Sequence, residues 1–305
     1  MSTRTMISFD WALKRLLRNK ANFGVLEGFL SELLHQKITI TNILESESNK
    51  DGENDKFNRV DLFAEDDKKE IIIIELQFNG EYDYFQRMLY GTSKAIAERM
   101  TKKMPYSQVR KVYSINIVYF DLGAGNDYIY RGFTDFKGLH TKEELKLSEN
   151  QKKVYKTTYP GDLYPEYYII KVTNFNDVAK DTLDEWVYYL KTNKIKDEFT
   201  AQGLDQAREV LAYDNLSDKE KQAYDNEAKR DRIKDSEIKT AFIDGEIKGE
   251  AKGKAEGEAE RQALEKALEK EKAEREKEKI ELEKEKAERQ ALEAKIDELK
   301  KQLKI

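Results

Sequence analysis

The stretch EIIIIELQF, residues 70–78, runs four isoleucines straight into Glu75, Leu76 and Gln77. Side chains alternate along a strand, so Glu75 and Gln77 share a face with Ile71 and Ile73, while Leu76 lies on the other with Ile72 and Ile74. A strand apolar on both faces is a buried central strand, and Glu75 sits where this one runs out. A lone carboxylate there is costly without a partner. A divalent cation is one such partner, and a second carboxylate would complete its site. Asp61 is the candidate. RVDLFAE, residues 59–65, reads as the preceding strand, and DDKK at 66–69 is a connection of hairpin length. A turn centred near residues 67 and 68 sets Asp61 across from Glu75, about 5 Å away between cross-strand neighbours. Two acids at that range can share one Mg²⁺ with a backbone carbonyl and waters. Such an ion lowers the pKa of a bound water and stabilises charge on a scissile phosphate. The same pattern also arises by chance, and acids that merely flank the solvent edge of a core hairpin would produce it.

The rest of the inventory narrows the chemistry. The 305-residue chain has no cysteine and two histidines, His35 and His140. Thiolate chemistry is excluded, and both a His-rich zinc site and a Ser-His-Asp triad are disfavoured. Oxygen ligands point to Mg²⁺ or Mn²⁺. Arg87 and Tyr90 stand one turn apart on the next expected helix. Arg87 could take a phosphate oxygen bidentately or pair with Glu81 or Asp83. Arg59 shares the Asp61 face of its strand and could also reach phosphate. Asp10 opens the first expected helix, where capping is the ordinary job of an aspartate. Glu27 is a further acid on the second helix, with plain surface exposure as its alternative.

These residues need a frame. Residues 8–35 read as two helices, with Phe9, Leu13, Leu16 and Leu17 and then Leu26, Phe29, Leu30, Leu33 and Leu34 at helical spacing. KITITNIL, 37–44, alternates as a strand with Ile38 and Ile40 inward. After the two strands at 59–65 and 70–78 a helix is expected over 82–103. A central strand follows at 111–122, then extended pieces in DYIYRGFTDF and YPEYYIIKV, and a helix over 181–192. Tyr164, Tyr167, Tyr168, Tyr188 and Tyr189 could stack bases, but such residues more often fill a core and its rim.

The net charge of −5 does not advertise nucleic-acid binding. Any basic surface must be local, with Lys14, Arg15, Arg18 and Lys20 and then Lys102, Lys103, Arg110 and Lys111 as candidates, or these are ordinary solvated charges. No h-region forms near the start and no run of 18 apolar residues exists, so a cytoplasmic protein with no membrane span is expected. Past residue 195 the aromatics thin out. From Gly245 the chain is Lys/Glu-dominated and free of proline, which favours a long helix. Leu282, Leu292, Ile296, Leu299 and Leu303 fall on heptad spacing, with Glu285 and Arg289 filling two core positions. A short coiled coil and a homo-oligomer are expected from it. Gly245, Gly249, Gly253 and Gly257 recur every four residues, as a close crossing or as simple repeat expansion. The resulting division is a core over 1–195, a helical extension over 196–243 and a Gly-spaced, Lys/Glu-rich helix with a coiled coil over 244–305.

Asp61, Glu75-Leu76-Gln77 and FQRMLYGTSKAIAERM, in this order of elements, resemble the PD-(D/E)XK nuclease superfamily. FDWALKRLL and the tail AFIDGEIKGEAKGKAEGE are similar to the Rpn family of recombination-promoting nucleases, also described as transposases. The resemblance covers about residues 6–260. It implies an α/β fold with a PD-(D/E)XK-like mixed sheet flanked by helices and followed by the long charged helix, and a Mg²⁺- or Mn²⁺-dependent DNA endonuclease. Asp61, Glu75 and the Leu76 carbonyl become the metal ligands, and Asp10 gains a hint of an accessory role. Gln77 stands where the superfamily usually places lysine, although members resembling this subgroup carry glutamine there. A glutamine orients water and phosphate only by hydrogen bonds. An inactive binding module and a strand transferase are the rival readings.

Overall fold

The computed structural model describes residues 6–44, 61–100 and 103–302. Ser8 caps helix α1 (Phe9–Arg15) by accepting from the Trp11 N–H. The helix stops at Arg15, short of the expected end, and α2 (Phe23–Leu34) follows. Strands β1 (Ile40–Ile43), β2 (Leu62–Asp66) and β3 (Ile71–Gln77) come next. Helix α3 (Tyr84–Arg99) leads to β4 (Val112–Val118) and β5 (Ile129–Gly132). Helix α4 (Glu149–Tyr155), β6 (Glu166–Lys171), α5 (Thr182–Thr192), α6 (Leu204–Val210) and α7 (Asp218–Gln302) complete the order.

The six strands form one mixed sheet in the order β1-β2-β3-β4-β6-β5. The β3, β4 and β6 strands run parallel; the outer pairs are antiparallel. This is the expected α/β architecture. The fully buried β4 occupies the sheet centre because both its faces are covered by helices. On one face Ile72, Ile74, Leu76, Ile115, Ile117 and Ile170 pack against α1, α2, α5 and α6. There Phe9, Phe29, Trp186 and Tyr189 meet with ring centroids 5.5–6.3 Å apart. On the other face Ile71, Ile73 and Val112 pack against Ala95 of α3, and Val118 against Tyr84 and Met88. The isoleucine run is thus buried on both sides, with the alternation expected.

The β2–β3 hairpin closes over Asp67, Lys68 and Lys69. Asp66 Oδ1 accepts from the N–H groups of Lys68 and Glu70 at 3.0 and 2.7 Å, and Lys69 turns the chain at φ 63°. The register this sets is Leu62 opposite Ile74 and Ala64 opposite Ile72. Near α6, Gly203 (φ +86°) and Gly28 let the chain approach α2. A Cβ on Gly28 would lie 2.2 Å from the Gln202 carbonyl oxygen.

The chain divides into two compact units, residues 1–225 and 226–305. Leu204, Leu211 and Leu216 are buried in the core cluster of the first, so packing continues beyond the expected core boundary at 195. In the second unit, helix α7 carries exposed Leu282, Leu292, Ile296 and Leu299; Leu303 lies outside the described residues. Among the described residues no helix is long and apolar enough to cross a membrane.

Candidate active site

Continuing the hairpin register one step past Leu62–Ile74 sets Asp61 opposite Glu75. The chain bends at Asp61 and leaves the ladder, and the Asp61 side chain takes the ladder's place: its Oδ2 accepts from the Leu76 N–H at 2.7 Å. In β3 the Ile71 N–H and the Gln77 carbonyl bond toward the β4 side. Backbone groups alternate sides along a strand, so those of Leu76 face β2, where the Leu76 N–H meets Asp61. The Leu76 carbonyl therefore shares that flank with the Asp61 carboxylate. Arg18 fixes the bend by donating to the Asp61 carbonyl at 2.5 Å.

Glu75 is buried on the α3 face, opposite Asn116 of β4. Its Oε1 lies against Arg87 Nη2 at short range, although the approach lacks hydrogen-bond geometry and the oxygen is shielded from solvent. Arg87 also grips Glu81, with Nη1 donating to Oε1 and Oε2 at 2.9 and 3.1 Å. Gln77 Nε2 donates to the same Glu81 Oε1 at 2.9 Å and to the Asn79 carbonyl at 3.2 Å. The Tyr84 hydroxyl donates to Asn116 Oδ1 at 3.3 Å, which anchors α3 to β4 beside Glu75.

Asp10 does not cap its helix, because Ser8 already does; it occupies the first turn and pairs with Lys14 at 2.7 Å. Lys14 lies 3.8 Å from Asp61 Oδ1, which brings the α1 pair to the candidate acids. Glu27 turns away: its Oε1 accepts from the Ile40 N–H at 2.7 Å and ties α2 to β1. Tyr90 is exposed on α3, and Arg59 lies outside the described residues. Most of the tyrosines considered as base platforms prove to be core or its margin. Tyr189 is fully buried and donates to the Ile7 carbonyl at 2.9 Å, and Tyr168 is buried as well.

Three contributors have weaker sequence signals. The sequence offers Glu81 as a partner for Arg87, and that pair forms, but its contact with Gln77, four residues earlier, carries no such signal. Lys14 is four residues after Asp10, ordinary helix spacing. Lys171 is 1% exposed on β6, in the same register row and on the same face as Val118 and Gln77. Its Nζ is 2.6 Å from Asp121 Oδ1, so its charge is already matched two strands away from Gln77.

Burial pushes the Asp61 carboxyl above the usual aspartate range, against the Leu76 N–H and Lys14, and Asp10 adds to the rise. Burial likewise raises Glu75; Arg87 pulls it down, while Asp61 and Glu81 push it up. Burial acts to lower the Arg87 value, but Glu75 and Glu81 outweigh it and hold the guanidinium charged. The two acids thus bind their protons more tightly than free side chains do, which is the penalty a cation beside them would relieve.

Among the described residues no three His, Cys, Asp or Glu side chains gather for a metal ion. The oxygen donors that could take part are fewer: the carboxylates of Asp61 and Glu75 and the Leu76 carbonyl, with water for the remainder. Hard divalent cations accept that combination. The Glu75 oxygen without a well-formed hydrogen bond is consistent with it.

The sequence model of the PD-(D/E)XK nuclease family transposase matches residues 7–241. No curated protein and no solved structure matches the chain.

Proposed function

The chain belongs to the PD-(D/E)XK nuclease family transposases, and from that premise we propose that it is a metal-dependent DNA endonuclease whose nicks promote recombination. The observation that carries this reading is the 2.7 Å hydrogen bond from the Leu76 N–H to Asp61, which ties one acid to the strand end bearing the other. Asp61, Glu75 and the Leu76 carbonyl would hold Mg²⁺ or Mn²⁺, which lowers the pKa of a bound water and offsets charge on the phosphate. Gln77 shares a strand face with Glu75 and orients the attacking water through its amide. Arg87, a charged guanidinium beside Glu75, takes a phosphate oxygen, and Arg59 is a second candidate for that task. Asp10 and Lys14 set the charge around Asp61. Tyr90 is a candidate for contact with the DNA from its exposed position on α3. Water oxygen bonds to phosphorus as its proton passes to solvent, the bond to the 3′ oxygen breaks, and the leaving oxygen acquires a proton from solvent.

Residues 1–195 would carry the chemistry, 196–243 extend it, and 244–305 join two copies through the exposed leucines and isoleucine of α7. The test is plasmid nicking with Mg²⁺ or Mn²⁺. Wild type should convert supercoiled plasmid to open circle, and Asp61→Asn and Glu75→Gln should each lose at least a hundredfold in rate. Undiminished nicking by either variant would remove the assignment.

A second reading has its own support. Gln77 in place of lysine and an Arg87 already engaged by two carboxylates also suit a nuclease-like module that binds DNA or protein without cutting. DNA binding with no nicking in either metal would favour it.

A further inference from the structure

At the end of β3, two side chains that carry tasks in the proposed reaction share one carboxylate. Gln77 Nε2 donates to Glu81 Oε1 at 2.9 Å and to the Asn79 carbonyl at 3.2 Å. Arg87 Nη1 donates to both Glu81 oxygens, at 2.9 and 3.1 Å. The chain bends at Asn79, and the Glu81 carbonyl accepts from the Tyr84 N–H at 3.3 Å where α3 opens. The loop between β3 and α3 thus returns Glu81 to the strand end it has just left. The Glu81 side chain is 34% exposed, so replacing it empties no core.

The consequence is one of polarity. A primary amide has two N–H donors on its nitrogen and acceptor sites only on its oxygen. The partners of Gln77 Nε2 are a carboxylate held by Arg87 and a backbone carbonyl, and both can only accept. Turning the amide over would set Gln77 Oε1 against two oxygens and lose both hydrogen bonds. The partners therefore fix which way the amide points. Both Nε2 hydrogens are spent, and among the described residues nothing donates to Gln77 Oε1. What Gln77 has left to offer is an acceptor. A lysine at this position would offer only donors, and Glu81 would hold its ammonium in an ion pair.

We propose that Glu81 is a positioning residue that locks the Gln77 amide, so that Gln77 takes a hydrogen bond from the attacking water through Oε1 and gives none to the phosphate. The proposal rests on the reading of the chain as a nuclease in which Gln77 orients that water. Glu75 and Gln77 share a strand face about 7 Å apart along the strand, which leaves room for one water between their side chains. The hydrogen bond aims the water's oxygen at phosphorus and removes no proton, since a neutral amide is not a base. Arg87 keeps Nη1 on Glu81, and Nη2, which lies against Glu75, is the part that turns to a phosphate oxygen.

The experiment is Mn²⁺-dependent plasmid nicking by the full chain. Gln77→Lys and Gln77→Glu are made alone, and the second also together with Glu81→Gln. Gln77 is half-buried at a strand end, so these changes spare the core. Gln77→Lys should nick about tenfold slower than wild type, because a donor replaces the acceptor. Gln77→Glu should slow by a similar factor, because its carboxylate meets that of Glu81. Adding Glu81→Gln restores a donor–acceptor pair with the acceptor still at 77 and should recover most of that loss, whereas two merely structural defects would add. A second readout does not depend on cutting. In protein with isotope-labelled glutamine, the Gln77 amide protons are assigned by their disappearance in Gln77→Lys. They should exchange with water about tenfold faster in Glu81→Ala than in wild type. Nicking by Gln77→Lys at or above the wild-type rate, no recovery in the double variant, or amide exchange indifferent to Glu81→Ala each overturns the inference. A wild type that never nicks refutes the nuclease reading and the water's part with it, while the amide exchange still decides the lock.

Discussion

Replacing Asp61 separates its structural task from its chemical one. In the native chain Asp61 Oδ2 is the acceptor for the Leu76 N–H at 2.7 Å. Asp61→Ala removes that acceptor and leaves a partly buried amide donor unmatched, which costs about 1–3 kcal/mol. Asp61→Asn keeps a carbonyl oxygen in the same place and removes only a charge that burial already disfavours. Its expected effect on stability is below about 1 kcal/mol in either direction. In a unit of 225 residues, 1 kcal/mol moves Tm by about 2–4 °C. Alanine should therefore lower Tm by about 2–12 °C, while asparagine stays within about 4 °C of wild type. The assay is thermal unfolding followed by circular dichroism, with and without Mn²⁺. Wild type should gain stability from the ion by mass action, and both variants should lose that gain. Equal stability of Asp61→Ala and wild type would refute the structural half of the reasoning. A Mn²⁺-dependent gain retained by Asp61→Asn would refute the chemical half.

Arg87→Met should leave Glu75 beside Asp61 and Glu81 without its cation; for a partly exposed pair the expected loss is about 1–3 kcal/mol by urea denaturation, and added Glu75→Gln should recover part of it. Glu166 is buried, which alone would raise its pKa, but Lys111, Tyr168 and Arg131 lower it below 4.5. The folded value lies under the unfolded one, so its contribution is present above about pH 4.5 and is lost as pH falls through the folded value. Glu166→Gln should flatten that acid limb in urea titrations. Gly28→Ala should destabilise by about 1–3 kcal/mol, because the added carbon meets backbone. Gly91→Ala, within α3 and with nothing within 4 Å, should stabilise by about 1 kcal/mol in the same assay.

The hairpin was legible because two periodicities agree. DDKK fixes the turn, and the isoleucine run fixes which face each acid takes, so Asp61 opposite Glu75 follows from counting. Central β4 was legible for the same reason, being apolar on both faces. What escaped the sequence was three-dimensional. Glu81, legible as a partner for Arg87, also reaches Gln77 from the loop between β3 and α3, and a loop carries no period to read. Lys171 comes into the Gln77 row only because β6 inserts beside β4, an order the chain does not announce. Asp10 was read as a cap because an aspartate at a helix start suits one, yet Ser8, two residues earlier, supplies the acceptor. Arg59 and Leu303 lie outside the described residues, so their expected tasks stand as proposals.

The most direct measurement is calorimetric titration of Mn²⁺ into wild type and Glu75→Gln, with plasmid nicking read from the same samples. The account expects saturable heat and nicking in wild type and the loss of both in the variant. Matching heats in the two proteins, or nicking that survives the substitution, would contradict it.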